Sequence, residues 1–100
     1  MTIEEKVFLR KRFVPETMLS FGFRKTDGGY LYETAFLDGD FSARFFVTDG
    51  GAVFGTVFDN MNGEVYAPLR AESYNGAYVN EVRAAYEALL SDIAEHCCKD

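Results

Sequence analysis

The sequence is poor in the residues and long apolar runs that characterise secreted, fibrous and membrane proteins. Its 100 residues include two cysteines, two prolines and one histidine, with no tryptophan. Two cysteines exclude a disulfide-dense scaffold, and a hydrophobic content of 48% excludes a disordered tail. No apolar run approaches the roughly 20 residues that span a bilayer, and the acidic start is atypical of a signal peptide. We therefore expect a single domain over residues 1–100, located in the cytoplasm.

Neither the cysteines nor the histidine form a recognisable metal or redox motif. Cys97 and Cys98 are adjacent, and neighbouring side chains on a helix point apart, so an ordinary disulfide between them is geometrically poor. His96 precedes them, but a structural zinc site needs a second, separated ligand pair that this chain does not contain. We expect reduced thiols, no bound metal and no cofactor, which fits a reducing compartment.

Motifs for catalysis are also missing. The chain has no nucleophile elbow, zinc-protease motif, P-loop or dinucleotide-binding glycine motif. Four acidic residues in predicted turns lack the dense spacing of a calcium loop, and turn chemistry explains Asp beside Gly. These residues are Asp38, Asp40, Asp49 and Asp59. The sequence thus predicts no catalytic residue and no enzyme.

The net charge of −6 is distributed unevenly along the chain. Residues 1–25 carry six bases and three acids, whereas residues 26–100 carry four bases and thirteen acids. An acidic surface of that extent opposes duplex binding, because nucleic-acid affinity comes mainly from neutralised phosphates. The run over residues 10–12 is typical of the last turn of a helix. The alternative of a nucleic-acid-binding module depends on Arg10, Lys11, Arg12, Arg24 and Lys25.

Both ends of the chain have helical patterns. Thr2 and Glu5 form a capping box that predicts a short helix over residues 3–12. Apolar residues at helical spacing predict a longer helix over residues 76–97, with Asn75 as its N-cap. Its apolar stripe comprises Val79, Val82, Ala85, Tyr86, Leu89, Leu90, Ile93 and Cys97.

Between these helices the period of the apolar residues changes to two, which is typical of strands. Asp-Gly and Asn-Gly pairs recur there and favour tight hairpin turns, so consecutive strands should be antiparallel neighbours. The predicted strands are Phe21–Thr26, Tyr30–Leu37, Phe41–Thr48, Ala52–Asp59 and Glu64–Arg70. We predict an α+β fold, in which a five-stranded antiparallel meander has the short N-terminal helix and the long C-terminal helix packed on one face.

The side chains also predict the register of the sheet. A two-residue loop at Asp38-Gly39 sets Glu33 opposite Arg44 and keeps the carboxylate away from the apolar face. By the same logic, Arg24 should lie opposite Glu33. The predicted core face comprises Phe21, Phe23, Tyr30, Tyr32, Phe36, Phe41, Phe45, Val47, Phe54, Phe58, Val65 and Leu69.

The opposite face of the sheet should be uncovered and unusually apolar. Several apolar side chains are expected there, beside a ladder of two arginines and a glutamate. Exposed apolar patches with a polar rim tend to mark interaction sites. The predicted interaction face comprises Arg24, Glu33, Arg44, Phe46, Val53, Val57 and Tyr66. Its expected partner is a protein, either a following C-terminal domain or a second copy in a weak homodimer.

Short segments distributed over nearly the whole chain occur in a familiar order. They are Glu4-Glu5-Lys6-Val7-Phe8, Phe21-Gly22-Phe23-Arg24-Lys25, Tyr30-Leu31-Tyr32, Gly55-Thr56-Val57-Phe58-Asp59, Val79-Asn80-Glu81-Val82-Arg83-Ala84-Ala85-Tyr86-Glu87 and Ile93-Ala94-Glu95-His96-Cys97. In this order they resemble the N-terminal region that precedes the YjbR/MmcQ-like domain in a group of bacterial proteins. The resemblance implies that a second domain follows, and that second domain is the part described as DNA-binding. It implies no functional residue within the present chain.

The leading prediction is a non-catalytic accessory or protein-interaction domain, similar to that N-terminal region. It is based on the half-apolar sheet face and on the lack of a reactive constellation. One alternative is the nucleic-acid-binding module that uses the basic N-terminal segment. A second alternative is a domain that binds a small apolar ligand between the sheet and the C-terminal helix.

Overall fold

Helices cover one face of a five-stranded antiparallel sheet, which confirms the predicted α+β architecture. The structure is a computed structural model and describes residues 1–100. The helices are α1 (Ile3–Val7), α2 (Pro15–Phe21) and α3 (Ala77–Cys97). The strands of the sheet, in spatial order, are β2 (Arg24–Thr26), β3 (Gly29–Phe36), β4 (Phe41–Thr48), β5 (Val53–Asp59) and β6 (Glu64–Val65). A separate antiparallel ribbon pairs β1 (Arg12–Phe13) with β7 (Cys98–Lys99), and a short 3₁₀ helix covers Ala67–Leu69.

Helix α1 has the predicted capping box but is shorter than the sequence indicates. Its N-cap Thr2 accepts a hydrogen bond from the backbone of Glu5, whose side chain bonds back to Thr2. The helix ends at Val7, and Arg10 adopts a left-handed φ of 59°. The backbone then extends, because β1 pairs with β7. The interpretation of residues 10–12 as a helical last turn is therefore wrong.

Helix α3 forms the second layer, as its apolar stripe predicts. Gly76 is its N-cap, one residue after the expected Asn75. The inward residues have no exposed surface, and they share one core cluster with Phe41 and Phe45, the large buried side chains of β4. The fully buried residues of α3 are Val82, Tyr86, Leu90, Ile93 and Cys97. The interlayer space that a bound apolar ligand would need is filled by these side chains.

The register of β3 and β4 is as predicted, with Glu33 opposite Arg44. The register of β2 differs by two residues, because the turn at Asp27-Gly28 sets Arg24 opposite Leu31 rather than Glu33. A shift of two residues keeps each side chain on the same face of the sheet. Arg24 therefore stays on the predicted face and lies diagonal to Glu33.

The loop between β4 and β5 gives β5 a register in which the face predicted to point inward points outward. Thr48 donates its backbone N–H to the carbonyl oxygen of Ala52 at 2.9 Å, so the loop contains three residues, 49–51. Phe46 consequently lies opposite Phe54. An odd shift in register moves every side chain of a strand to the other face.

Several predicted positions are corrected by this register. Val53 and Val57 face the helices and belong to the core, whereas Phe54 and Phe58 face away from it. Tyr66 also packs on the core, with its ring centroid 5.0 Å from that of Phe41.

The last sheet strand is also shorter than predicted. It ends at Val65, and the chain turns into the 3₁₀ helix at Ala67. Pro68 lies within that turn and has no amide hydrogen with which to continue the ladder. Val65 lies opposite Phe58 and is 60% exposed, so its predicted place in the core is wrong.

The register of β5 also directs Gly55 toward the helices, opposite Phe45. A Cβ atom at Gly55 would collide with the hydroxyl oxygen of Tyr86 and with the carboxylate of Glu4. A residue without a side chain is therefore required at this position of the sheet.

We predict that Gly55→Ala lowers the free energy of unfolding by about 1–3 kcal/mol, because a methyl group has no space there. The matched control is Gly50→Ala, since a Cβ at Gly50 meets only the Thr48 hydroxyl oxygen, at 3.8 Å. The control should change the free energy by less than about 0.5 kcal/mol. Urea denaturation of both variants measures the difference, and equal stabilities would contradict the placement of Gly55.

Candidate functional site

Glu4 is the only buried charged residue of the protein. Arg70 binds both of its carboxylate oxygens, through Nη1 and Nη2, each at 2.7 Å. Tyr86 donates its hydroxyl hydrogen to Oε2 of Glu4, and Arg70 Nη2 also donates to the carbonyl oxygen of Gly55 at 2.9 Å. These four residues, which we call the Glu4 cluster, connect α1, β5, α3 and the segment after the 3₁₀ helix.

The protonation states in the Glu4 cluster are those of a structural ion pair. Burial raises the pKa of the Glu4 carboxyl, but the hydrogen bonds from Arg70 and Tyr86 outweigh burial and hold that pKa below its usual value. Burial and the adjacent carboxylate both raise the pKa of Tyr86. At neutral pH, Glu4 is therefore ionised and Tyr86 keeps its proton. Such fixed states suit a contact that holds the fold together better than they suit proton transfer.

The open face of the sheet, the side away from α3, carries three linked charges. Glu33 accepts hydrogen bonds from Arg24 Nη2 and Arg44 Nε, each at 3.0 Å. The bond from Arg44, followed by that from Arg24, lowers the pKa of Glu33. The predicted position of Glu33 between the two arginines is confirmed. Because these ion pairs are exposed, they contribute little to the stability of the fold, and their main effect is on the charge distribution of the open face.

Apolar side chains surround these charges on the open face. Phe54 and Val65 are each 60% exposed, and the guanidinium of Arg44 lies 5.5 Å from the ring centroid of Phe58. We call the apolar residues of this surface the open-face patch. They are Leu31, Phe46, Phe54, Phe58 and Val65.

The structure brings together part of the predicted interaction face. Arg24, Glu33, Arg44 and Phe46 lie on the open face. The other three predicted members lie on the core side, and the sequence reasoning missed the exposed aromatic residues of β5. The sequence of β5 indicates a strand, but Val53 and Val57 alternate with Phe54 and Phe58, so both faces of the strand are apolar and the pattern does not indicate which face is buried.

The basic residues of the nucleic-acid alternative do not form one surface. Arg24 is on the open face, whereas Lys25 points to the other side of β2, lies 4.7 Å from the ring centroid of Tyr30 and pairs with Asp49 at 2.6 Å. Lys11 pairs with Asp100 near the β1–β7 ribbon. The two remaining bases, Arg10 and Arg12, are exposed near that ribbon. The five bases thus lie in separate regions of the surface, and three of them, Lys11, Arg24 and Lys25, are paired with acidic side chains.

Metal-ligand atom types meet at one exposed place, the last two turns of α3. Ligand-type atoms of Asp92, Glu95 and His96 lie within 4.8 Å of one another. The His96 Nδ1 atom lies 2.9 Å from the backbone carbonyl oxygen of Asp92 and 3.2 Å from its carboxylate. The hydrogen bond to the backbone of Asp92 raises the pKa of His96. These contacts are between successive turns of one helix and leave the group at the surface.

Both cysteines are free thiols near the end of α3. Burial raises the pKa of Cys97 to about 12 and that of Cys98 to about 11. Each thiol therefore keeps its proton at neutral pH, and a protonated thiol is a weak nucleophile and a weak metal ligand.

Comparison of the chain with protein-family models, with curated proteins and with solved structures finds no match. The resemblance to the N-terminal region of YjbR/MmcQ-like proteins accordingly stays a prediction. None of the helices combines the length and the apolar character of a membrane-spanning segment.

We predict that Glu4→Gln lowers the free energy of unfolding by about 2 kcal/mol at pH 7, because it leaves Arg70 without its counter-charge. Arg70 is 40% exposed and can recover some hydration, which limits the loss. The folded-state pKa of Glu4 is lowered, so its stabilisation is present at neutral pH and disappears as the pH falls below the ordinary value of 4.5. The difference in stability between the wild type and the variant should therefore shrink as the pH falls further below this value.

Urea denaturation at neutral and acidic pH measures this effect. The matched control is Glu72→Gln, because Glu72 is exposed and has no salt bridge. A loss of stability that is the same at both pH values would show that the charge of Glu4 is not what stabilises the fold.

Proposed function

We propose that the protein is a non-catalytic protein-interaction domain and that its partner binds the open face of the sheet. The observation that carries this proposal is the open-face patch, in which three phenylalanine rings lie on the side of the sheet that no helix covers. An antiparallel sheet with one wet face usually alternates apolar and polar residues. Here Phe54 and Phe58 occupy the outward positions of β5, with Thr56 between them.

The anatomy of the open face fits a transient protein interface. Docking would remove apolar surface from water, at about 25 cal/mol per Å² of buried area. The charges of Arg24, Glu33 and Arg44 are already paired with each other, so they can enter an interface with most of their charge compensated. Aromatic and arginine side chains are enriched among the residues that contribute most to protein binding.

The nucleic-acid alternative has less support. Glu33 binds both arginines of the open face, and phosphate contacts would require those bonds to break. The remaining bases lie elsewhere on the molecule, several of them paired with acids. An accessory role also agrees with the resemblance to the N-terminal region of YjbR/MmcQ-like proteins. The free thiols are compatible with a reducing compartment, so we place the interaction in the cytoplasm.

A photo-crosslinking residue at position 54 tests this function in living cells. We expect a crosslink to one dominant protein, identified by mass spectrometry, that disappears when Phe58→Ser is added. The matched control places the crosslinker at Leu19, a residue of α2 that is 51% exposed. Equal crosslinking from both positions would contradict the proposal, and so would crosslinks from position 54 to nucleic acid alone.

A further inference from the structure

We infer that the occupant of the open face is a second copy of this chain, packed sheet against sheet about a two-fold axis. The axis lies between the two sheets, parallel to the strands, above the gap between β3 and β4. This inference rests on the proposed function and names the partner for the same surface. It is carried by the arrangement of charges and rings on the open face, which is complementary to itself.

The open face can be described as rows that run across the strands. From β2 to β5, one row reads Arg24, Leu31, Phe46, Phe54. The next row, from β3 to β5, reads Glu33, Arg44, Thr56. Each row thus places unlike side chains on β3 and β4.

A two-fold axis along the strands exchanges β3 with β4 and β2 with β5. It sets Glu33 of each copy opposite Arg44 of the other, so the central charges attract twice. It sets Leu31 of each copy opposite Phe46 of the other. Packing between sheets whose strands are nearly aligned is the common geometry of two-layer sheet interfaces.

The same operation places the ring of Phe54 opposite Arg24 of the second copy. An arginine over an aromatic face is a favourable contact. Phe54 is 60% exposed in the single chain, so it is available for this contact. All three kinds of juxtaposition in these rows, ionic, apolar and cation–aromatic, therefore favour one arrangement.

A two-fold axis in another direction would not bring these complementary side chains together. A two-fold axis perpendicular to the strands and above the Glu33–Arg44 row would set Glu33 opposite Glu33 and Arg44 opposite Arg44, and like charges in contact are strongly unfavourable. Such an axis between the two rows would set Glu33 opposite Leu31 and Arg44 opposite Phe46, so neither charge would face an opposite charge of the other copy. The charges thus select both the partner and its orientation. This reciprocity is the property that an isologous interface requires.

The distribution of charge over the molecule also favours a second copy on this face. The chain has a net charge of −6, so two copies repel each other over most of their surfaces. The charged ladder of the open face has two arginines and one glutamate, so this face lacks the acidic excess that makes the other surfaces repel. Docking through this face keeps the acidic surface of α3 on the outside of the dimer. We expect a weak dimer, with a dissociation constant on the order of 100 µM.

Charge reversal tests the arrangement by sedimentation velocity on the full chain. Arg44→Glu alone and Glu33→Arg alone should each raise the dimer dissociation constant by at least about tenfold, because each creates two repulsive contacts. An equimolar mixture of the two variants restores both attractive contacts, and its association should return to within about threefold of the wild type. Recovery on mixing is a result that general damage to the fold cannot produce.

Controls and further variants make each outcome decisive. Glu81→Arg, on the exposed side of α3, should leave or strengthen the dimer. Circular dichroism checks folding, and if a reversal variant is unfolded, the milder Glu33→Gln and Arg44→Gln should still weaken association. A dimer that is insensitive to Phe54→Ser would overturn the inference. A strictly monomeric chain with crosslinks from position 54 to another protein would overturn it while the proposed function stands; a monomer without such crosslinks would overturn both.

Discussion

The ion pair between Glu4 and Arg70 lies above Gly55 and determines which way β5 faces. The carboxylate, the guanidinium and the Tyr86 hydroxyl need space at the sheet, and only a glycine that faces inward leaves it. Since side chains alternate along a strand, an inward Gly55 makes Phe54 and Phe58, which are one and three residues away, face outward. A polar contact inside the protein thus decides the composition of its open surface.

The same contact explains why one side of the sheet stays uncovered. It holds α1 against β5, and α1 also packs on α3. The β1–β7 ribbon then joins the segment after α1 to the end of α3, so both ends of the chain lie on the helical side. With every helix on one side, the outward side chains of β3, β4 and β5 have no covering layer within the chain. These apolar side chains therefore remain at the surface, where another molecule can contact them.

The parts of the fold that local patterns determine could be predicted from the sequence. The stripe of α3 and the Asp38-Gly39 turn between β3 and β4 are examples, and the latter correctly placed Glu33 opposite Arg44. The orientation of β5 could not be predicted, because the glycine-rich turn at 49–51 permits loops with either an even or an odd number of residues, and these place opposite faces of β5 toward the core. The core was also ambiguous, since valines and phenylalanines alternate along β5 and either set could be buried. The Glu4 cluster and the β1–β7 ribbon join residues far apart in the sequence, and no local pattern indicates such pairs.

Two-dimensional ¹H–¹⁵N NMR spectra of the wild-type chain over a dilution series test most directly whether the protein associates through its open face. We expect concentration-dependent shifts of amide resonances that map to β3, β4 and β5 and reach Phe54, while the amide resonances of α3 stay constant. Shifts confined to α3 or to the β1–β7 ribbon, with an unchanged sheet, would contradict this expectation.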